Sequence, residues 1–427
     1  MKAIRVFILI ALAAGTGVAQ ESLPGLRYWQ LRREIRQGFQ NQDYGAALRL
    51  LNEADKAVPD SPDLIFRMSL AQAFLRHEEA SIAHLQRLVR MRVYFDLTKE
   101  PAFAELKRRA DFRALTTAME RIRTERQFKA RVAFRISSPA FFPEGIAYDS
   151  RTDDYFVSSV RQRRIVRVSG QNVVTDFIGS GQDGLWGVSG IGVDERRRLL
   201  WACSNATETA EGYTPADKND IAVFAFNLDN GKLAAKYPLA QPGTDHMCDG
   251  LVVASDGAVF VADSMGTAIY RLDPDARDLK VVLSPEAGIS PQGLALSKKG
   301  NILFVSNYFS GLYAIALPSN RISRVVSRVE RSLAGIDGLI SYGNDLIAIQ
   351  NGIQPNRVVR LKMSGDGTTV SAVQSLEVNH PLFGEPTLGL VKGHTLLFVA
   401  NNPITEFLQN RRLESVPEPV ILRRELR

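Results

Sequence analysis

One motif recurs six times in the C-terminal two-thirds of the sequence, and this repeat constrains the fold more than any other feature. Most copies consist of a small or polar residue, a glycine and a short apolar run, as at Glu144 and Asp337. The aligned positions lie 45, 60, 43, 45 and 50 residues apart, and they are Glu144, Ser189, Asp249, Gln292, Asp337 and Thr387. Only the last copy lacks the glycine. Repeats of this length suit a unit of four strands.

A second apolar run follows each copy after about ten residues and ends in small or polar residues. Alternating runs separated by turn pairs such as Asp-Gly predict antiparallel strands. Six four-stranded units predict an all-β, six-bladed β-propeller over residues 131–427. We expect residues 131–136 to complete the last blade beside residues 419–424, which would close the ring and leave no long strand edge.

The segment before the propeller, residues 26–126, has a helical period and few glycines. Ala47, Leu51, Ala54 and Pro59 have the spacing of the second helix of a tetratricopeptide repeat. We therefore expect a small α-helical, tetratricopeptide-like domain here. Two roles stay open for it. It is either a docking module for a protein partner or a cap that packs on the propeller, because fewer than three repeats barely bury their own core.

The first 19 residues have the pattern of a secretory signal peptide. Lys2 and Arg5 precede an apolar run over residues 6–14, and small residues follow up to Ala19. We expect cleavage near Ala19 and a periplasmic or secreted protein. The run is shorter than the roughly 20 residues that a membrane-spanning helix needs, and no later stretch comes closer, so no membrane span is predicted.

Charge and cysteine content exclude several classes of protein. The net charge is +7, but the densest basic stretch, residues 161–167, alternates with apolar residues, so no nucleic-acid partner is expected. The two cysteines, Cys203 and Cys248, have no Cys-x-x-Cys spacing, which argues against a structural zinc site. They could pair in an oxidising compartment. Two unpaired buried thiols are the favoured alternative, because strand ends in neighbouring blades need not lie within bonding reach.

The repeat also predicts where functional side chains meet. The first strand of a propeller blade lines the channel and the second runs antiparallel to it, so the start of one and the end of the other share a face. The six aligned residues should therefore surround one mouth of the channel, with further polar residues beside them. Those further residues are Asn205, His246, Asp263, Asn307, Asn351 and Asn401.

Three carboxylates, Glu144, Asp249 and Asp337, would converge at this mouth without a basic partner. Such a group requires a cation, raised pKa values or water. Carboxylate and amide oxygens suit calcium, magnesium or manganese, and they tolerate zinc. The alternative is ordinary turn chemistry, since Asp-Gly and Asn are common at strand ends. Glu144, Ser189 and Gln292 are not favoured turn residues, and this favours a functional site.

The glycine motifs at Glu144, Asp249, Gln292 and Asp337 resemble those of the gluconolactonase, senescence-marker-protein and luciferin-regenerating-enzyme-like propellers, over about residues 131–410. The resemblance implies one divalent cation, calcium above the others, held by these four side chains. It also implies lactone hydrolysis with Asp337 or Asp249 as the general base. Glu144 and Asp337 match the family, whereas Asp249 and Gln292 stand where the family has asparagines.

Two functions follow from these observations. The first is a metal-dependent hydrolase of a small lactone or ester, such as a sugar-acid lactone, with a small molecule as its substrate. The second is a non-catalytic periplasmic propeller that binds a ligand or, through residues 26–126, a protein partner. The two departures from the family ligands and the absence of a Gly-x-Ser-x-Gly elbow favour the second. The convergence of three carboxylates at one mouth favours the first, which is our leading hypothesis.

Overall fold

The computed structural model describes residues 25–239, 245–284, 289–413 and 416–427. The predicted signal peptide, residues 1–19, lies outside these ranges. Within them, no helix is long and apolar enough to cross a membrane.

Five helices come first, and a buried apolar stripe on each explains why they associate. In the second helix the stripe is Ala47, Leu51 and Ala54, and the Asp43 carboxylate caps the helix by accepting the Ala46 N–H at 2.9 Å. The helices are α1 (Gly25–Gln40), α2 (Tyr44–Ala57), α3 (Pro62–Phe74), α4 (Glu78–Met91) and α5 (Ala110–Thr124), with 3-10 turns at Pro101–Phe103 and Leu106–Arg108.

Twenty-five strands follow within the described residues, and α6 (Ile404–Asn410) interrupts them. The strands are β1 (Arg131–Arg135), β2 (Pro143–Asp149), β3 (Asp154–Ser159), β4 (Arg164–Val168), β5 (Val174–Ile178), β6 (Gly187–Asp194), β7 (Leu199–Asn205), β8 (Ile221–Asn227), β9 (Leu233–Pro238), β10 (Cys248–Val253), β11 (Val259–Asp263), β12 (Ala268–Leu272), β13 (Lys280–Leu283), β14 (Pro291–Leu296), β15 (Ile302–Asn307), β16 (Gly311–Ala316), β17 (Arg321–Arg324), β18 (Val326–Ser327), β19 (Ile336–Tyr342), β20 (Asp345–Gln350), β21 (Arg357–Met363), β22 (Thr369–Val378), β23 (Gly389–Lys392), β24 (Thr395–Val399) and β25 (Val420–Glu425).

In the described part of the chain these strands form six sheets arranged as blades. Five blades are β2–β5, β6–β9, β10–β13, β14–β17 and β18–β22, and the sixth has the order β1-β25-β24-β23. In the sixth blade β1 pairs antiparallel with β25, with Arg131 opposite Arg423 and Arg135 opposite Val420. The predicted six-bladed propeller preceded by helices is confirmed, and so is the closure of its ring.

Apolar side chains fill the space between adjacent blades. Each of the six interfaces has its own buried cluster, such as Phe156 of the first blade with Phe224 of the second. The propeller core is therefore divided into wedges between sheets, and the channel at the centre is left to the first strands.

The first strands approach one another so closely around the channel that the motif glycine cannot carry a side chain. A Cβ at Gly250 would lie 2.8 Å from the carbonyl oxygen of Gln292, the aligned residue of the next blade. The same holds, at less than 3.0 Å, for Gly145, Gly190, Gly293 and Gly338. In the sixth copy, which lacks the glycine, Thr387 Oγ1 instead donates a hydrogen bond to the Glu144 carbonyl at 2.9 Å.

Cys203 and Cys248 form a disulfide between the second and third blades, with their Cα atoms 5.3 Å apart. The favoured expectation of unpaired thiols is therefore wrong. Both residues are fully buried in the apolar cluster between these two blades, so their side chains face each other across a single interface. The pairing is possible because β7, which contains Cys203, lies beside β10, which begins at Cys248.

The helices pack against the propeller through shared core and backbone hydrogen bonds. Ile353, which follows β20, belongs to the same buried cluster as the helical core. The Tyr94 N–H donates to the Gln354 carbonyl at 2.8 Å, and the Arg357 guanidinium donates to the Arg92 carbonyl at 3.0 Å. This is the packing of a cap. Binding of a protein partner through residues 26–126 stays a prediction.

The glycine ring generates a first test. We expect Gly250→Ala to lower the free energy of unfolding by about 1–3 kcal/mol, because the new methyl group overlaps the Gln292 carbonyl. Gly365→Ala is the matched control, since nothing lies within 4 Å of its Cβ, and it should change stability by less than about 0.5 kcal/mol. Urea unfolding followed by circular dichroism measures both, and equal stability of the two variants would contradict the close approach.

The disulfide generates a second test. It closes a 45-residue separation, so replacing both cysteines by alanine should lower the free energy of unfolding by about 2–4 kcal/mol. A thiol reductant should destabilise the wild-type protein by a similar amount and leave the double variant unchanged. If the reductant affects both proteins equally, its effect does not arise from this bond.

Candidate active site

A cavity of about 380 Å³ occupies one mouth of the propeller channel. First-strand residues from all six blades line it, because each blade places its motif at the same height. The six aligned residues that line it are Glu144, Ser189, Asp249, Gln292, Asp337 and Thr387.

The predicted residues at the ends of the second strands divide into two groups. Asn205 and Asn351 line the cavity. The cavity-lining residues in the described part of the chain do not include His246, Asp263, Asn307 or Asn401. Their side chains instead bind turns and strand ends.

Asp263 shows this structural use of a predicted site residue. Its Oδ1 accepts the N–H groups of both Met247 and Gly266, each at 2.9 Å, and its Oδ2 contacts His246 Nδ1 at 2.6 Å. Both side chains of the His246–Asp263 pair are buried. The pair fixes the loop that leads into β10.

Asn307 and Asn401 are likewise used for the backbone. Asn307 Oδ1 accepts the N–H groups of Phe309 and Ser310 at 3.0 and 3.2 Å. Asn401 accepts the Val420 N–H at 2.8 Å and donates to the Glu418 carbonyl at 2.9 Å. These amides satisfy backbone groups of turns and of the closing strand.

Two polar cavity residues of the sixth blade were not predicted. Glu385 and Asn402 line the cavity, and an isolated antiparallel bridge joins them just beyond the ends of β23 and β24. Asn402 Nδ2 donates a hydrogen bond to Glu144 Oε2. The sequence did contain a sign of Glu385. The first copy has an acidic residue directly after its proline, at Pro143-Glu144, and the sixth copy has one directly before its proline, at Glu385-Pro386.

A backbone clamp positions Asp249. Asn205 Oδ1 accepts the Cys248 N–H at 2.8 Å, and Asn205 Nδ2 donates to the Cys248 carbonyl at 2.8 Å. Ser189 Oγ donates to the same carbonyl. Together with the disulfide at Cys248, these bonds hold the peptide next to Asp249 from two sides.

Two linked hydrogen bonds position Asp337. Asn351 Nδ2 donates to Asp337 Oδ2 at 2.6 Å, and the Tyr308 hydroxyl donates to Asn351 Oδ1 at 3.0 Å. Asn351 therefore orients the carboxylate while its own orientation is set by Tyr308.

Five acidic side chains line the cavity. One is Glu208, which is paired with Arg411 at 2.7 Å, and the other four, which we call the cavity carboxylates, are those of Glu144, Asp249, Asp337 and Glu385. No Lys, Arg or His side chain is among the described residues that line it. The pKa of Asp249 is raised to about 7, mainly by burial and additionally by the nearby Asp337 and Asp263 carboxylates, while a hydrogen bond from Ser264 opposes the rise. Burial also raises the pKa of Asp337 to about 7, opposed by the Asn351 hydrogen bond and assisted by Glu385.

The pKa of Glu144 is raised well above its ordinary value, first by burial and then by the negative charges of Asp337, Glu385 and Asp249. A carboxyl group whose pKa lies near 7 can accept or release a proton at neutral pH. The cavity is therefore suited to proton transfer and to binding a cation.

The donor set fits a hard divalent cation. Asp249 Oδ2 is buried and has no hydrogen-bond partner among the described residues, which leaves a lone pair directed at no protein donor. No three His, Cys, Asp or Glu side chains in the described ranges lie close enough to hold a metal ion by themselves. A cation here would thus also need an amide oxygen, such as that of Gln292, or water.

No family model and no curated protein matches the sequence. Solved structures with low identity are similar to it. A gluconolactonase from Xanthomonas campestris is 18% identical with a TM-score of 0.47, over 69% of this chain and 94% of that one. A calcium-binding regucalcin from Agrobacterium tumefaciens is 13% identical with a TM-score of 0.48, over 70% and 93%.

A virginiamycin B lyase from Staphylococcus aureus is 15% identical with a TM-score of 0.46, over 64% of this chain and 82% of that one. The structural neighbours thus include the gluconolactonase and regucalcin propellers that the sequence motifs resemble. At these identities and TM-scores they assign no activity to this chain.

The raised pKa values generate a third test. Between pH 4 and pH 7 the folded protein keeps protons on Asp249 and Asp337 that the unfolded chain has already released, so these groups destabilise the fold as pH rises. In the presence of a chelator, the free energy of unfolding of Asp337→Asn should therefore increase by about 1–3 kcal/mol relative to that of the wild type as the pH rises from 4 to 8.

Urea unfolding at several pH values measures this difference. Asp366→Asn is the control, because the pKa of Asp366 is lowered to about 2 by hydrogen bonds from Ser364 and Thr368, so its ionisation is complete throughout this range. The raised pKa of Asp337 would be contradicted if the free energy of unfolding of Asp337→Asn, relative to the wild type, stays constant or decreases as the pH rises.

Proposed function

We propose that the protein hydrolyses a small lactone or ester in the channel-mouth cavity. The convergence of the four cavity carboxylates, with no basic side chain among the described lining residues, is the observation that supports this most strongly. A volume of about 380 Å³ suits a small molecule. The side-chain amide of Gln292 offers hydrogen bonds to a hydroxylated substrate such as a sugar-acid lactone.

Asp337 is the proposed general base, with Asp249 as the second carboxylate. In the reaction the base takes a proton from water, and the water oxygen forms a bond to the carbonyl carbon. The ester C–O bond then breaks, and the leaving oxygen receives the proton from the base. Asn351 acts as a positioning residue, because its hydrogen bond orients the Asp337 carboxylate.

A divalent cation, calcium by preference, would be held by Glu144, Asp249, Asp337 and the amide oxygen of Gln292 after the three carboxylates move closer together than they lie in this structure. When bound, such an ion polarises the substrate carbonyl and stabilises negative charge on its oxygen. The buried, unpartnered Asp249 Oδ2 and the excess of carboxylates support this ligand set. Glu385 adds negative charge next to it, which would strengthen cation binding.

We also infer that the protein acts in the periplasm or outside the cell. The N-terminal pattern of charged, apolar and small residues supports export. The Cys203–Cys248 disulfide supports it independently, because such bonds persist in oxidising compartments.

The hydrolase proposal generates a fourth test. With calcium present, the purified protein should hydrolyse glucono-1,5-lactone or a related sugar-acid lactone, and a chelator should abolish the activity. Asp337→Asn should lower kcat/KM by about 100-fold or more, because it removes the general base. Asp366→Asn, an exposed loop substitution, should leave kcat/KM unchanged.

Two outcomes would contradict the proposal. A calcium-loaded protein that hydrolyses no lactone or ester is not such an enzyme. If it binds lactones without hydrolysing them, the propeller is a ligand-binding module. Equal activity of the wild type and Asp337→Asn would show that another group is the base.

A further inference from the structure

A second and larger cavity, of about 850 Å³, lies between the helices and the propeller. We call it the outer compartment, and it is lined by residues of α1, α3, the segment after α4, the propeller loops and α6. It shares a wall with the channel-mouth cavity. The residues that line both are Tyr308, Phe309, Asn351, Glu385 and Asn402.

Aromatic and apolar side chains from both parts of the chain face this compartment. They are Pro62, Val93, Tyr94 and Phe95 on the helical side, and Tyr308, Phe309, Ile353 and Pro403 on the propeller side. Phe95 stacks on Phe66 with ring centroids 4.2 Å apart, which anchors it in the helical core. The Arg32 guanidinium of α1 lies 4.5 Å from the centre of the Phe309 ring. The rings are thus held by packing before any ligand arrives.

The charges that line the compartment do not favour an anionic ligand. Among the described lining residues one guanidinium, that of Arg32, faces four carboxylates, namely Asp63, Asp96, Glu385 and Glu406. A negatively charged group would therefore lie near more like charges than opposite ones. Two of these carboxylates do not select a cationic ligand either, because Asp63 is already paired with Arg67 at 3.0 Å and Asp96 with Lys99 at 3.1 Å. An uncharged group with an aromatic surface fits best, because aromatic rings stack edge-to-face or offset on one another.

The shared wall is joined to the proposed base. The Tyr308 hydroxyl and the Asp337 carboxylate both hydrogen-bond to Asn351, at 3.0 and 2.6 Å. A ligand that contacts Tyr308 in the outer compartment is consequently separated from Asp337 by a single amide side chain. One molecule can therefore have parts in both cavities.

We propose that the outer compartment is a substrate subsite that binds an uncharged aromatic substituent of the lactone or ester. This inference rests on the proposed hydrolase function, since it places the hydrolysed bond in the channel-mouth cavity. The helical domain, which supplies Tyr94 and Phe95, then determines the substrate class rather than serving only as a cap.

The test compares γ-phenyl-γ-butyrolactone with unsubstituted γ-butyrolactone on the full chain. Thr405 is an exposed residue of α6 that lines only the outer compartment, so Thr405→Trp fills that space without altering the core. Asn410→Trp is the matched control, because Asn410 ends the same helix, is exposed and lines neither cavity. Phe95→Leu is a second variant, which removes one ring and keeps an apolar side chain.

We expect the wild type to prefer the phenyl lactone by at least tenfold in kcat/KM. Thr405→Trp should remove this preference by lowering kcat/KM for the phenyl lactone at least tenfold and for the unsubstituted lactone less than twofold. Phe95→Leu should weaken the preference in the same direction, and Asn410→Trp should keep it. Equal kcat/KM for the two lactones in the wild type, or an unchanged preference in Thr405→Trp, overturns the subsite and leaves the hydrolase proposal intact.

Direct binding of the phenyl lactone, followed by ligand-observed NMR or calorimetry, separates the two proposals. If no lactone is hydrolysed but Thr405→Trp weakens phenyl-lactone binding at least tenfold relative to Asn410→Trp, the subsite stands and the hydrolase proposal fails. If the wild type hydrolyses glucono-1,5-lactone but does not bind the phenyl lactone, only the subsite is overturned. If it hydrolyses no lactone and does not bind the phenyl lactone, both proposals are overturned.

Discussion

The close approach of the six first strands around the channel is the constraint on which the rest of the structure depends. Five motif glycines face a carbonyl oxygen of the next blade at a distance that admits no Cβ, and Thr387 closes the ring through the Glu144 carbonyl. Because the strands meet so tightly, the residue before each glycine is brought to the same narrow mouth. The packing that forms the ring and the convergence of polar side chains therefore have one cause.

That convergence has an electrostatic consequence. Glu144, Asp249, Asp337 and Glu385 share a small cavity without a basic side chain among the described lining residues, so their ionisation is costly and their pKa values rise. The surrounding amides do not remove this cost but orient the carboxylates, as Asn351 does for Asp337. Such a site lowers the stability of the folded protein, and the same raised pKa values allow proton transfer and favour cation binding. Perturbed pKa values of this kind are common at functional sites.

The helices change what the channel mouth can bind. A propeller alone would open directly to solvent at this mouth, whereas here α1, α3 and the segment after α4 line a second cavity beside it. The shared core at Ile353 and the backbone bonds at Tyr94 and Arg92 fix the helices in that position. Two parts of the chain with different periods and different cores thus contribute to one continuous surface for a ligand.

The sequence by itself determined the blade count, the ring closure and the six aligned residues at the mouth, because a repeat imposes the same local geometry on every copy. It did not determine which second-strand residues face the cavity. Asn402 lines it while Asn401 binds the Val420 and Glu418 backbone, and both lie beyond the end of β24, where the alternation of the strand no longer predicts side-chain directions. The Cys203–Cys248 bond, the position of Glu385 and the outer compartment depend on how separate segments meet in space. Only the tertiary structure decided them, because contacts between distant segments leave no period in the sequence.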